Sequence, residues 1–176
     1  MTGEMARNVV LVGFMGAGKS VCGRMLARRL GRCFVETDAM IVSREGVPIP
    51  EIFARHGEAR FRELEAEAVA ALALKSDDVV ATGGGLPCRE GRMEALRALG
   101  TVVWLRGDLA ALLERARRQG ERPMIANRTD DEVQALYAAR EPYYRQAHVT
   151  IDTNGRTVDQ VVADLVAALR TEHARR

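Results

Sequence analysis

The chain predicts an α/β fold, a parallel sheet with helices on both faces, and three observations carry this. Short apolar, β-branched stretches alternate with amphipathic stretches of helical period along the whole chain. The first apolar stretch runs into Gly13-Phe14-Met15-Gly16-Ala17-Gly18-Lys19-Ser20, a full match to G-x-x-x-x-G-K-[S/T] set between a strand and a helix. Glycines and carboxylates gather just after the carboxyl ends of the first three strands, where ligands of such sheets collect.

Taken in order, Val9 to Val12 is a buried-type strand, and Val21 to Leu30 is a helix stopped by Gly31. Cys33 to Asp38 reads as a second strand. Its last carboxylates, Glu36 and Asp38, are two residues apart and so share a face. A helix over Asp38 to Glu45 follows, with Asp38 as a candidate N-cap and Gly46 as its end. Pro48 and Pro50 break the chain, Glu51 to His56 forms a short helix closed by Gly57, and Glu58 to Leu74 forms a long one. On that long helix Phe61, Leu64, Ala68, Ala71 and Leu72 make the apolar face, with Arg62 and Glu65 beside it. Val79 to Ala81 is a third strand leading into Gly83-Gly84-Gly85. Arg89 to Leu99 is a helix, and Thr101 to Leu105 is a fourth strand. Asp108 caps a helix over Leu109 to Gln119, and a polar loop then runs to Arg128. Thr129 with Glu132 is a capping box that opens a helix to about Arg140, with a kink at Pro142. Val149 to Asp152 is a fifth strand, and Thr157 with Gln160 caps the last helix.

The glycine loop is the strongest chemical signal. Its glycines let the backbone close around phosphate oxygens, and the N–H groups at the helix start point at the anion. Lys19 reaches the β- and γ-phosphates, and the Ser20 hydroxyl ligates Mg²⁺. Among 26 Lys plus Arg only Lys19 and Lys75 are lysines, so the compact ammonium at this place stands out against an arginine-rich background.

Composition excludes other classes. A net charge of +2 is too small to argue for a nucleic-acid surface, and with basic residues never more than two in a row the arginines read as dispersed solvated residues plus a few that bind anions. No stretch approaches 18 apolar residues, and the start carries no signal-type apolar run, so a cytoplasmic protein without a membrane span is expected. Cys22, Cys33 and Cys88 share no metal-ligand spacing and read as reduced, mostly buried thiols. His56, His148 and His173 form no cluster.

A nucleotide loop serves either a hydrolytic switch or a kinase. The chain has no Asn-Lys-x-Asp, which a guanine switch needs. A kinase of hydroxyl groups wants a carboxylate at the acceptor oxygen, arginines for an anionic acceptor and a lid that excludes water. Asp38 fits the first role, Arg62 and Arg140 the second, and the loop containing Arg122 the third. Taken alone, Arg62 and Glu65 read equally well as a surface helix pair, and Asp38 as a cap. Likewise Arg140 reads as a solvated helix end, Arg122 as a loop charge, and the three glycines as a plain turn.

The full set resembles the shikimate kinase family: the glycine loop, Thr37-Asp38, Gly57-Glu58 with Phe61-Arg62-x-x-Glu65, Gly83-Gly84-Gly85, Arg122-Pro123 and Arg140-x-Pro-x-Tyr144. It spans Asn8 to Thr153 in order. The resemblance implies a P-loop kinase of the nucleoside-monophosphate-kinase type, one domain over residues 1–176, with a five-stranded parallel sheet of order 2-3-1-4-5. It implies a substrate-binding segment at about 38–65 and a lid at about 118–129. The implied reaction moves the γ-phosphate of ATP to the 3-hydroxyl of shikimate, with Mg²⁺, in a cytoplasmic monomer. By the same resemblance the catalytic residues are Lys19, Asp38 and Arg122, and shikimate is held by Asp38, Arg62, Gly84, Gly85 and Arg140. ATP falls to Gly13, Gly16, Ala17, Gly18, Lys19, Ser20, Arg117, Arg122 and Arg156, with Arg115 or Arg118 as substitutes for Arg117. The metal falls to Ser20 and, through water, Glu36.

One position departs from the family. Its pattern is Asp-Thr-Asp where this chain has Glu36-Thr37-Asp38, one methylene longer on the metal side. Two other readings remain at this point: a related small-molecule kinase of gluconate type, and a binding protein of this family without catalysis.

Overall fold

A computed structural model describes residues 7–119 and 127–174. Five strands form one sheet: β1 (Asn8–Val12), β2 (Cys33–Glu36), β3 (Asp78–Ala81), β4 (Gly100–Arg106) and β5 (Val149–Asp152). Their order is β2-β3-β1-β4-β5, and every neighbouring pair is parallel. Between them lie α1 (Lys19–Leu30), α2 (Thr37–Glu45), α3 (Ile49–Leu72), α4 (Arg92–Leu99), α5 (Leu109–Arg118) and α6 (Asp130–Tyr144), with α7 (Val158–Ala174) last. Val9, Val10, Leu11 and Val12 are all buried. Successive strand residues point to opposite faces, so both faces of β1 are covered, and this is why the strand is apolar throughout rather than alternating.

The main core runs from β1 and β3 through β4 to α1 and α7. A second, smaller one, Ile41, Ile52, Phe61, Leu64 and Ala68, joins α2 to α3. Helix ends follow the glycines. Gly31 and Gly46 close α1 and α2 with left-handed backbones, φ 68° and 71°. Both capping boxes form: Glu132 N–H donates to Thr129 Oγ1 while Thr129 N–H donates to Glu132, and Thr157 and Gln160 repeat the exchange.

Several local expectations fail for identifiable reasons. β2 stops at Glu36 and α2 begins at Thr37, so Asp38 lies in the first turn of a helix and does not share a strand face with Glu36. The cause is long-range: the Thr37 hydroxyl accepts from Gly83 N–H at 3.1 Å, which binds this corner to the end of β3. Asp38 is therefore not an N-cap; that position is Glu36, which makes no side-chain cap bond. Pro50 does not break the chain but sits in the first turn of α3, where its missing N–H costs nothing. The break expected at Gly57 is present, by contrast: Gly57 at φ 77°, ψ 178° separates two helical stretches that join across a kink within α3. α6 continues through Pro142 to Tyr144, and α4 starts only at Arg92. Ala71 and Cys33 are exposed rather than buried. Asp108 caps α5 in position but makes no side-chain cap bond.

Candidate active site

The glycine loop joins β1 to α1 and is shaped by its neighbours. Gly16 has φ 73°, and a Cβ there would lie 2.0 Å from the Leu112 carbonyl of α5, so no other residue fits. Lys19 Nζ donates to the carbonyls of Gly13 at 2.8 Å and Phe14 at 2.9 Å, which holds the ammonium over the loop. Ser20, one residue on, donates its hydroxyl to Glu36 Oε1. The other oxygen of Glu36 takes Arg24 Nη2 at 2.9 Å, and the Arg24 guanidinium lies 5.1 Å over the Phe34 ring. The extra methylene of Glu36 thus spans Ser20 and Arg24. Hydroxyl and carboxylate together are the hard oxygen donors that Mg²⁺ accepts, with water completing its shell. Among the described residues no group of three or more His, Cys, Asp or Glu could hold a metal by itself.

Across from the loop, a second cluster of charged side chains is built on the end of β3. Asp38 Oδ1 is buried and accepts no hydrogen bond among the described residues. Burial raises its pKa above the usual carboxylate range, Glu65 adds to this, and Lys19 pulls the other way. A carboxylate so placed is poised to take a proton rather than to hold an ion pair.

The three glycines after β3 face charged side chains, Gly83 and Gly84 one each and Gly85 two. A Cβ on Gly83 would lie 2.7 Å from Asp38 Oδ1. One on Gly84 would lie 3.4 Å from Arg140 Nη1, and one on Gly85 would lie 3.2 Å from Arg140 Nη2 and 3.4 Å from Arg62 Nη1. The two guanidinium groups therefore meet over Gly85, an arrangement that grips a planar carboxylate from two sides. Each is held from behind. Arg62 donates to Glu65 at 2.8 Å and to Glu58 at 3.0 and 3.2 Å. Glu65 is 2% exposed, so this pair is no surface ornament. Arg140 is also buried and lies 5.6 Å over the Phe14 ring, so one end of it touches the nucleotide loop.

Comparison with known proteins agrees with this geometry. A family model described as shikimate kinase matches residues 15–170. The shikimate kinase of Geobacter sulfurreducens is 48% identical over 168 residues, covering 95% of this chain and 92% of that one. The chain belongs to the shikimate kinase family. Among solved structures, the shikimate kinase of Acinetobacter baumannii in complex with shikimate superposes with TM-score 0.85 at 35% identity, covering 96% of each chain. That of Aquifex aeolicus gives 0.83 at 32%, covering 95% of this chain and 98% of that one. A deoxyadenosine kinase from M. mycoides, 15% identical with TM-score 0.64 over 93% of this chain and 99% of that one, shares the fold alone. As a shikimate kinase the chain is a transferase that uses ATP.

Of the residues expected at the nucleotide, those of the loop cluster as described, while the adenine side is less converged. Arg115 is turned inward and donates to Thr153 Oγ1 at 3.1 Å. Arg118 pairs with Glu114, and Arg156 pairs with Asp164 at 2.5 Å. Arg117 is exposed, with no ion pair among the described residues. Arg122, and with it most of the expected lid, lies outside the described residues. Sequence reasoning missed Glu58, Arg24 and the Thr37 hydroxyl as supporting groups. Glu58 stands four residues before Arg62, a spacing that signals such a pair; Arg24 and Thr37 act across the fold and leave no local signal.

Proposed function

We propose that the chain transfers the γ-phosphate of ATP to the 3-hydroxyl of shikimate, giving shikimate 3-phosphate and ADP on the route to chorismate and the aromatic amino acids. The observation that carries this is the convergence of Asp38, Arg62 and Arg140 on the glycine run opposite the phosphate loop. Arg62 and Arg140 clamp the shikimate carboxylate over Gly84 and Gly85, and the ring then directs its hydroxyls to Asp38. Asp38 accepts the hydroxyl proton as the oxygen bonds to the γ-phosphorus and the bond to the β,γ-bridging oxygen breaks. Lys19 holds the charge that develops on the transferring group. Mg²⁺, held by Ser20 and through water by Glu36, would neutralise phosphate charge in the bound complex. Arg122 completes the phosphate shell from a lid over about 118–129, and Arg117, with Arg156 beyond it, borders the adenine. A cytoplasmic monomer suits these roles, each being met within one chain.

The test is ADP release with shikimate, quinate and gluconate side by side. Release that depends on shikimate and is far slower with the other two is expected. Equal release with and without shikimate, or a preference for gluconate, would overturn the reading.

A further inference from the structure

Tyr144 is fully buried, and its hydroxyl donates to the Gly84 carbonyl at 2.6 Å, sixty residues away in sequence. Phenylalanine would fill the same volume, so the hydroxyl is there for that carbonyl, since a buried phenol without a partner is costly. Tyr144 also stands one turn after Arg140 on α6, and its ring lies against Trp104 of β4, centroids 6.0 Å apart. The same carbonyl takes a second, weaker bond from Cys88 Sγ at 3.5 Å. In a trans peptide the C=O and N–H point in opposite directions. With the Gly84 carbonyl turned to Tyr144, the Gly85 N–H is turned away from Tyr144, on the Gly85 residue over which the two guanidinium groups meet.

We propose that Tyr144 is a positioning residue for the acceptor: it sets the plane of the Gly84–Gly85 peptide and ties it to the helix that carries Arg140. One side chain thereby fixes the distance between the floor of the acceptor site and one of its two arginines. The inference rests on the acceptor site proposed above. Gly84 and Arg140 border the nucleotide loop at Gly13 and Phe14, but the Tyr144 hydrogen bond is made to the acceptor side, so its effect falls mainly on that substrate.

The test compares the full-length wild type with Tyr144→Phe and Cys88→Ala. ADP release is measured with shikimate varied at saturating ATP and the reverse, alongside thermal unfolding. Loss of one buried hydrogen bond at a substrate contact is expected to raise the Tyr144→Phe KM for shikimate by about five- to tenfold. Its KM for ATP stays within about twofold and its kcat within about threefold. A shikimate KM within about twofold of wild type would overturn the inference. So would parallel changes in both KM values and kcat, which a loosened fold produces. Cys88→Ala is the control: it removes the weaker bond to the Gly84 carbonyl, and a 4.0 Å contact to the Arg140 carbonyl, but leaves the Tyr144 bond in place. A shikimate KM within about twofold of wild type is therefore expected for it, and a rise as large as that of Tyr144→Phe would overturn the inference. Both KM values are read at a temperature below the Tm of Tyr144→Phe. A wild type without shikimate-dependent release removes the acceptor site itself, and the inference with it. An active wild type with an unchanged Tyr144→Phe variant removes the inference alone.

Discussion

Substituting Gly83 by alanine separates catalysis from folding at a single atom. Gly83 does not have a left-handed backbone, so alanine adds no dihedral strain. The new Cβ would stand 2.7 Å from Asp38 Oδ1, about 0.7 Å inside ordinary contact. The atom it meets is the end of a side chain rather than backbone, so the carboxylate turns aside and the chain still folds. A proton acceptor displaced by somewhat under 1 Å is expected to lower kcat about 10²-fold, near 2.7 kcal/mol of barrier. Thermal stability should change by less than about 1 kcal/mol, as for other mild surface and loop changes. The contrast is Gly100→Ala, whose Cβ would lie 1.9 Å from the Asn8 carbonyl in the neighbouring strand, where nothing can swing away. That variant should lose the fold. The assay is coupled ADP release at saturating substrates together with calorimetric Tm. A Gly83→Ala variant with more than a tenth of normal kcat, or with a Tm as depressed as that of Gly100→Ala, would show that Gly83 does not make room for a working Asp38.

Other outcomes follow from the same geometry. Burial raises the pKa of Asp38, so the folded state holds its proton more tightly than the unfolded chain. This group's stabilising effect is complete below the ordinary carboxylate value and is lost as pH rises through its raised folded value. Asp38→Asn should therefore raise Tm at pH 7 but not in acid, while lowering turnover about 10²- to 10⁴-fold; an unchanged pH dependence of Tm would contradict this. Arg62→Ala and Arg140→Ala should each weaken shikimate binding by about 2–4 kcal/mol in direct calorimetry, with ATP affinity nearly unchanged. Normal shikimate affinity in either variant would make that arginine structural. Glu36→Ala should raise the Mg²⁺ concentration for half-maximal activity about threefold or more, with shikimate affinity preserved. Rescue of Asp38→Asn by excess Mg²⁺ would mean that the two carboxylates have exchanged roles.

Local signals made much of this fold legible. The glycine loop is read by its spacing, Gly31 and Gly46 mark real helix ends, and both capping boxes form because the residues involved lie three apart. What sequence alone could not show depends on partners distant in the chain. The strand at Cys33 ends early because Thr37 bonds to Gly83, forty-six residues on, and the face shared by Glu36 and Asp38 disappears with it. The glycine run was legible as a place without side chains. That Gly83 clears space for Asp38, and Gly85 for two arginines, needed the atoms of three other elements. Likewise Arg62 and Glu65 read as a surface pair by spacing, and only the burial of Glu65 shows otherwise.

The separate small core beneath α2 and α3 has a consequence for how the molecule breathes. Ile41, Ile52, Phe61, Leu64 and Ala68 form a buried cluster of their own that meets the main core at Met40, and Gly57 interrupts the helix that carries four of them. Opening this unit exposes little apolar surface and leaves β1 and the nucleotide loop in place, so it belongs to the low end of the range of local unfolding energies. Its amides should exchange with solvent long before those of the central strands. An acceptor held as proposed, by Arg62 on this unit and Arg140 on α6, would oppose its opening by mass action. At one hundred times its Kd the acceptor adds about 2.7 kcal/mol to the opening energy. Hydrogen exchange in α2 and the first part of α3 should therefore slow on adding the acceptor and change little on adding nucleotide alone.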